Sequence, residues 1–190
     1  MVEPLPERAA SQDGLRPFYF YTIVILVFAG DQISKALIQR SMSFGEYREV
    51  FGSSFMLTLT QNTGGAWGLL PSGNRLFIAF AAVAIVALLV AYHRVARGDL
   101  LVASAFALAL GGATGNLVDR LRYGYVVDFF DARIIHWPIF NVADSAISLG
   151  IVLLLAHYVR SMRAESAQRH ESAVSSAALK TEEPAINAHE

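Results

Sequence analysis

The chain has no cysteine, so it can form neither a disulfide nor a Cys-ligated metal site and has no thiolate nucleophile. Charge is scarce as well. Only 16% of the residues are charged against 54% hydrophobic, in a chain of 190, which is more apolar than a soluble domain of this size. A membrane is the solvent that suits such a composition. The net charge is -1 and the Lys and Arg residues are scattered, which excludes the basic field on which nucleic-acid binding depends.

Lys35 and Lys180 are the only lysines. A Ser-Lys dyad would therefore depend on Lys35, which has no obvious serine nucleophile beside it, and no G-x-S-x-G elbow occurs. The histidines at positions 93, 136, 157, 170 and 189 show no metal-ligand spacing and there is no H-E-x-x-H, so neither a metal nor another cofactor is implied. No internal repeat is found.

What the chain does have is long apolar runs. A bilayer core needs roughly 20 apolar residues of helix, and segments near 18–39, 74–93, 100–117 and 142–160 come close. Each must be helical, because backbone in lipid has to satisfy its own hydrogen bonds. The first run follows an acidic tail and is longer than the apolar part of a signal peptide, so it is read as a retained span. Residues 1–16 and 164–190 hold too little apolar surface to bury and are expected to be mobile tails flanking a four-span domain at 17–163. Between the first two spans, VFGSSFMLTLTQ shows partial alternation, which suggests a small strand pair on the membrane surface. YVVDFFD, between the third and fourth spans, reads as an extended loop. The predicted fold is thus an all-α membrane protein, a four-helix bundle with a small β-sheet.

An even number of spans puts both tails on one side and the loops after spans one and three on the other. Arginines are balanced between the sides, so charge alone does not orient the protein.

Ionisable groups inside spans are costly and mark function. Asp31 and Lys35 lie i, i+4 on one helix face, within ion-pair reach. Lys35 is expected to extend its ammonium to the interface, while Asp31 is deep enough to need an interior partner, either structural or supporting a site. Gly111 and Gly115 form a small-xxx-small pair that admits a neighbouring helix. Gly112, Asn116 and Arg120 follow at i, i+4 and would line one stripe leading out of the membrane, where Arg120 could instead bind lipid phosphate. Asn141 and Asp144 have the spacing of a helix N-cap with an acidic first turn. Apolar surroundings would raise the pKa of Asp144. Asp128 lies in an apolar extended run on the same side of the membrane, though a loop carboxylate could also face solvent. Two aspartates brought together there would share a proton, one acting as base towards water and the other as acid.

With these residues in hand, the chain closely resembles the prolipoprotein signal peptidases, or signal peptidase II, over about Phe18 to Arg160. The resemblance rests on DQISK at Asp31–Lys35, QNTGGAW at Gln61–Trp67, GNLVDRLRYGYVVDF at Gly115–Phe129 and FNVADS at Phe140–Ser145. It implies a multi-pass enzyme of the bacterial inner membrane, with both termini cytoplasmic and the sheet, extended loop and active site at the periplasmic face. Asp128 and Asp144 look like the catalytic pair. Asp31, Asn62, Gly112, Asn116, Arg120, Asn141 and Ala143 look like the supporting shell, and Lys35 is grouped with them. The implied partners are membrane lipids, lipoprotein precursors cut before a diacylglyceryl-modified cysteine, and globomycin-like cyclic peptides as inhibitors. The enzyme is expected to act as a monomer, with Arg120 and Asn62 holding substrate backbone or lipid carbonyls. One block departs from the family pattern at Gly65, Ala66 and Trp67, where a small residue and then Phe are common. Trp67 with Gly64 and Gly65 could form a substrate rim. The alternative reading is a small proton-coupled transporter or channel, whose polar path should cross the bilayer. The second span and the inner halves of the third and fourth carry no ionisable residue between their ends apart from His157, one turn from the end of the fourth.

Overall fold

A computed structural model of the chain describes residues 8–64, 74–96 and 98–182. Gly65, Ala66 and Trp67 lie outside these, as do the first seven and last eight residues. Among the described residues, four helices are long and apolar enough to cross a membrane: Pro17–Ser41, Asn74–Ala96, Leu100–Tyr123 and Val142–His170. They belong to α1 (Arg8–Ser41), α2 (Asn74–Ala91, continued by a wider turn over Tyr92–Ala96), α3 (Leu100–Tyr123) and α4 (Val142–Glu182). The chain is a multi-pass membrane protein.

The helix α3 is the centre of the packing. Over half of its apolar window, 56%, is buried within the protein, against 6% for α2 and 11% for α1. Its composition explains this, since Ala103, Ala105, Ala107, Gly111, Gly112 and Gly115 are all buried and leave room for other backbones. A methyl group at Gly111 would come within 2.8 Å of Val27 Cβ on α1, and one at Gly150 of α4 within 2.6 Å of the Ala105 carbonyl oxygen. The Gly111 and Gly115 spacing therefore admits α1, as its small-xxx-small pattern implies. Asp99 caps the start of α3 by accepting from the Leu101 and Val102 N–H groups at 2.8 and 3.1 Å. Gly124 ends it in the left-handed region at φ 81°, a position that favours glycine. The helix thus runs six residues past Leu117, where the apolar run ends, and carries Asp119 with it.

Between the spans lies a three-stranded antiparallel sheet in the order β1-β2-β3, formed by Tyr47–Phe51, Phe55–Asn62 and Val126–Asp131. The expected strand pair is present as β1 and β2. The extended run YVVDFFD is not a separate loop but supplies the third strand, with Thr60 opposite Asp128 and Asn62 opposite Val126. Val127 points into a small core with Leu59 and Met42, so alternation along β3 directs Asp128 to the opposite face. The outer edge of β3 is closed by Phe140, whose carbonyl accepts from Phe129 and Phe130 at 3.1 and 2.7 Å and whose N–H returns to the Phe130 carbonyl at 3.0 Å. That bridge sets Asn141, the residue before α4, beside Asp128.

The expected carboxyl-terminal tail continues as helix to Glu182. Ala and Glu, which recur there, are strong helix formers. The chain divides into two compact units, Met1–Leu153 and Leu154–Glu190. The first holds the sheet and all the residues discussed below.

Candidate active site

The end of α3, the strand β3 and the start of α4 converge at the sheet end of the helices and bring Asp128 and Asp144 into one hydrogen-bonded cluster. Asn141 joins them. It caps α4, its Oδ1 accepting from the Asp144 N–H at 2.9 Å while its own N–H donates to Asp144 Oδ2 at 3.2 Å, a reciprocal capping arrangement. With its oxygen so engaged, its side-chain amide turns to Asp128 and donates to Oδ1 at 2.6 Å. Capping and site-building are therefore one role here, not alternatives.

Each carboxylate has a further amide donor. Asn62, at the end of β2, donates to Asp128 Oδ2 at 2.8 Å, and Asn116, on α3, donates to Asp144 Oδ1 at 2.8 Å. Asn62, expected to bind substrate, thus spends a donor on Asp128. Asp128 is 1% exposed. Burial, reinforced by the negative charge of Asp144, raises its pKa from 3.8 to about 7 against the opposing pull of the Asn62 and Asn141 amides and the Lys35 charge.

Asp144 opens on a cavity of about 210 Å³ lined also by Asn62, Asn116, Arg120, Trp137, Pro138 and Phe140. A second depression of about 340 Å³, walled also by Ala132 and Ile135, shares Trp137, Phe140, Asp144 and Ser148 with it. Arg120 is half-buried, its guanidinium 5.1 Å from the Phe77 ring centre.

Behind the aspartates lies a second polar layer. Asp31 is fully buried and its Oδ1 accepts from the Ala143 N–H at 3.0 Å, fastening the first turn of α4 to α1. Gly112 and Gly115 make this possible, because a methyl group at Gly112 would fall on the Ala143 carbonyl oxygen and one at Gly115 on Asp31 Oδ2. The ammonium of Lys35 does not reach for the interface as expected. It is 2% exposed and turns inward to Asp31 and Asp119, each at 2.8 Å, and to Asn116 Oδ1 at 3.0 Å. Two charges at interior depth outweigh the reach of a flexible stem.

Asp119 and Gln32 belong to this layer and escape the sequence reading. Gln32 Nε2 donates to Asp119 Oδ1 at 3.0 Å and lies 3.2 Å from Asp31 Oδ2. The available signal was Gly124 preceded by Arg120 and Arg122, which marks a helix end later than Leu117 and places Asp119 one turn beyond Gly115 and Asn116. Asp131, the other acid of β3, accepts from Thr58 at 2.8 Å and Arg133 at 2.9 Å and serves the sheet.

Residues 23–160 match the family model described as signal peptidase (SPase) II. The lipoprotein signal peptidase of Halothermothrix orenii is 42% identical over 137 residues, which cover 72% of this chain and 92% of that protein. That of Paraburkholderia phytofirmans is 39% identical over 168 residues, covering 86% and 96%. A bacterial membrane enzyme solved by the in meso method at 2.3 Å resolution superposes with a TM-score of 0.72 at 32% identity, over 75% of this chain and 88% of that one.

Proposed function

Since this chain belongs to the signal peptidase II family of aspartic-type peptidases, we propose that it removes the signal peptide from lipoprotein precursors, cutting before a diacylglyceryl-modified cysteine, with Asp128 and Asp144 as the catalytic pair. The observation that carries this reading is the joining of the two aspartates through Asn141 beside a cavity at the ends of the spans.

In this mechanism the pair shares one proton between its carboxyl groups, an arrangement that the raised pKa of Asp128 supports. A water bound between them gives a proton to the ionised carboxylate as its oxygen attacks the scissile carbonyl carbon. The protonated partner donates to the carbonyl oxygen, giving a neutral gem-diol. Collapse of that intermediate breaks the C–N bond, re-forms a carboxyl group and delivers a proton to the leaving nitrogen. General acid–base work of this kind contributes about 10² to 10⁴ in rate. Asn62, Asn116 and Asn141 hold the pair, and Arg120, whose guanidinium faces the cavity, holds a substrate carbonyl.

A lipid-anchored substrate needs apolar space at interface depth beside a hydrated acid pair. The depression walled by Ile135, Trp137 and Phe140 supplies such space next to Asp144. With four spans, both termini share one side and the sheet stands on the other. In this reading the sheet and site face the periplasm, the termini the cytoplasm, and the bilayer is the bacterial inner membrane. Residues 17–163 make up the peptidase and 164–190 a cytoplasmic extension. Globomycin-like cyclic peptides would occupy the same cavity as inhibitors, and one chain suffices for the reaction.

The test is cleavage of a diacylglyceryl-modified precursor by the purified protein in lipid, with Asp128→Asn and Asp144→Asn each checked for folding. Both variants should be inactive. Full cleavage by either folded variant would remove that aspartate from catalysis.

A further inference from the structure

Lys35 and Asp119 stand behind the aspartates and take no part in the chemistry proposed above. Burying an ion costs several kcal/mol unless it is well paired, and Asp31, one turn from Lys35 and 2.8 Å away, already pairs it. Asp119 adds a second carboxylate to the same ammonium, itself only 1% exposed. What it contributes beyond charge is direction. Its Oδ2 accepts at once from Lys35 Nζ at 2.8 Å and from the Val127 N–H at 3.1 Å. Val127 immediately precedes Asp128, so this bond fixes β3 to the end of α3 at the point where the Asp128 side chain leaves the strand.

The second route runs through Lys35. An ammonium offers donors only. Lys35, held between Asp31 and Asp119, and the Asn141 amide therefore both donate to the oxygen of Asn116, at 3.0 and 3.1 Å, and turn it inward. The amide nitrogen of Asn116 is then left facing Asp144 Oδ1 at 2.8 Å. One carboxylate is thus tied to each aspartate by a separate chain of bonds.

We propose that Asp119 is a positioning residue for the cleavage, holding Asp128 through the Val127 N–H and Asp144 through Lys35 and Asn116. The inference rests on the peptidase reading, and the test separates the two. The full chain in lipid is assayed for kcat, KM and thermal unfolding as wild type, D119A and D119N, with D128N and D144N alongside. D119A removes the bond to the Val127 N–H and one of the two carboxylates that hold Lys35, and should lower kcat about 100-fold, the cost of a misplacement near 1 Å, with KM within about threefold of wild type. D119N keeps one oxygen for Lys35 and Val127 and loses the negative charge and the acceptor for Gln32. It should restore kcat to within about tenfold of wild type, the cost of one weakened hydrogen bond. Should D119A not fold, Asp119→Ser, which leaves space for water around Lys35, repeats the measurement. Wild-type kcat in folded D119A or D119S would overturn the positioning role, as would a D119N variant no better than D119A. Cleavage surviving in D128N and D144N would instead overturn the peptidase reading on which the proposal rests.

Discussion

Asn141 donates to Asp128 at 2.6 Å from an amide whose oxygen is already committed to the first turn of α4. The cap of a membrane helix and the support of a buried carboxylate are therefore one group. Asn141→Ala should cost about 1 kcal/mol of stability as a lost cap and, by freeing both aspartates, about 100-fold in kcat. Asn141→Ser, a good cap too short to reach Asp128, should regain the stability and not the rate. Thermal unfolding and cleavage measured on the same preparations separate the two effects.

The raised pKa of Asp128 has consequences for both rate and stability. Its carboxyl group sits at about 7 when folded against 3.8 as a free side chain. The folded protein thus binds the proton more tightly, and the stability this contributes is complete below pH 3.8 and lost as pH rises through about 7. Thermal unfolding of the wild type should fall across that window, and in D128N the part of this slope due to Asp128 should vanish. In the wild type the cleavage rate should decline above pH about 7 as the shared proton leaves. Asn62→Ala removes an amide that favours the ionised form, so the alkaline limb of its pH profile should move to higher pH. An unmoved limb would assign that limb to another group.

How much of this was legible in the sequence depended on the range over which each signal acts. The glycine spacing at Gly111 and Gly115 and the Asn141 cap are local, and the structure uses them as their patterns suggest. The strands β2 and β3 are legible one at a time, but their pairing joins Asn62 to Val126, a contact that no local pattern encodes. Lys35 departs from its expected place for a related reason. From α1 alone its nearest relief is the interface, whereas its second counter-charge, Asp119, lies on α3 beyond the apolar run that marked the span. Hydropathy ends a helix where lipid ends, and here the helix continues to Gly124 because the backbone is capped there.

Gly112 tests whether the approach of α3 to α4 is needed for activity. A methyl group there would strike the Ala143 carbonyl oxygen and come within 2.9 Å of Ile147 Cγ1. Backbone cannot yield as a side chain can, so α4 must move, and with it the Ala143 N–H on Asp31 and the carboxylate of Asp144. Gly112→Ala should cost about 1–3 kcal/mol by overpacking and lower kcat by about 100-fold through displacement. Ordinary cleavage at wild-type stability would show that the helices separate without disturbing the pair.

Arg120 offers the clearest division between binding and chemistry. Its guanidinium lies over Phe77 at 5.1 Å, beside the cavity on which Asp144 opens, and a planar fork in that position can hold a carbonyl by two donors. Lysine keeps the charge but loses the fork and the flat contact with the ring. Arg120→Lys should therefore raise KM by about tenfold, the weight of one charge-assisted hydrogen bond, with the smaller change in kcat. If kcat collapses while KM stands, the guanidinium acts on the transition state and not on the bound substrate. Arg120 would then sit with the aspartates as a stabiliser of charge developing on the carbonyl oxygen. Steady-state kinetics on the lipid-modified precursor, varied across KM, separates the two roles.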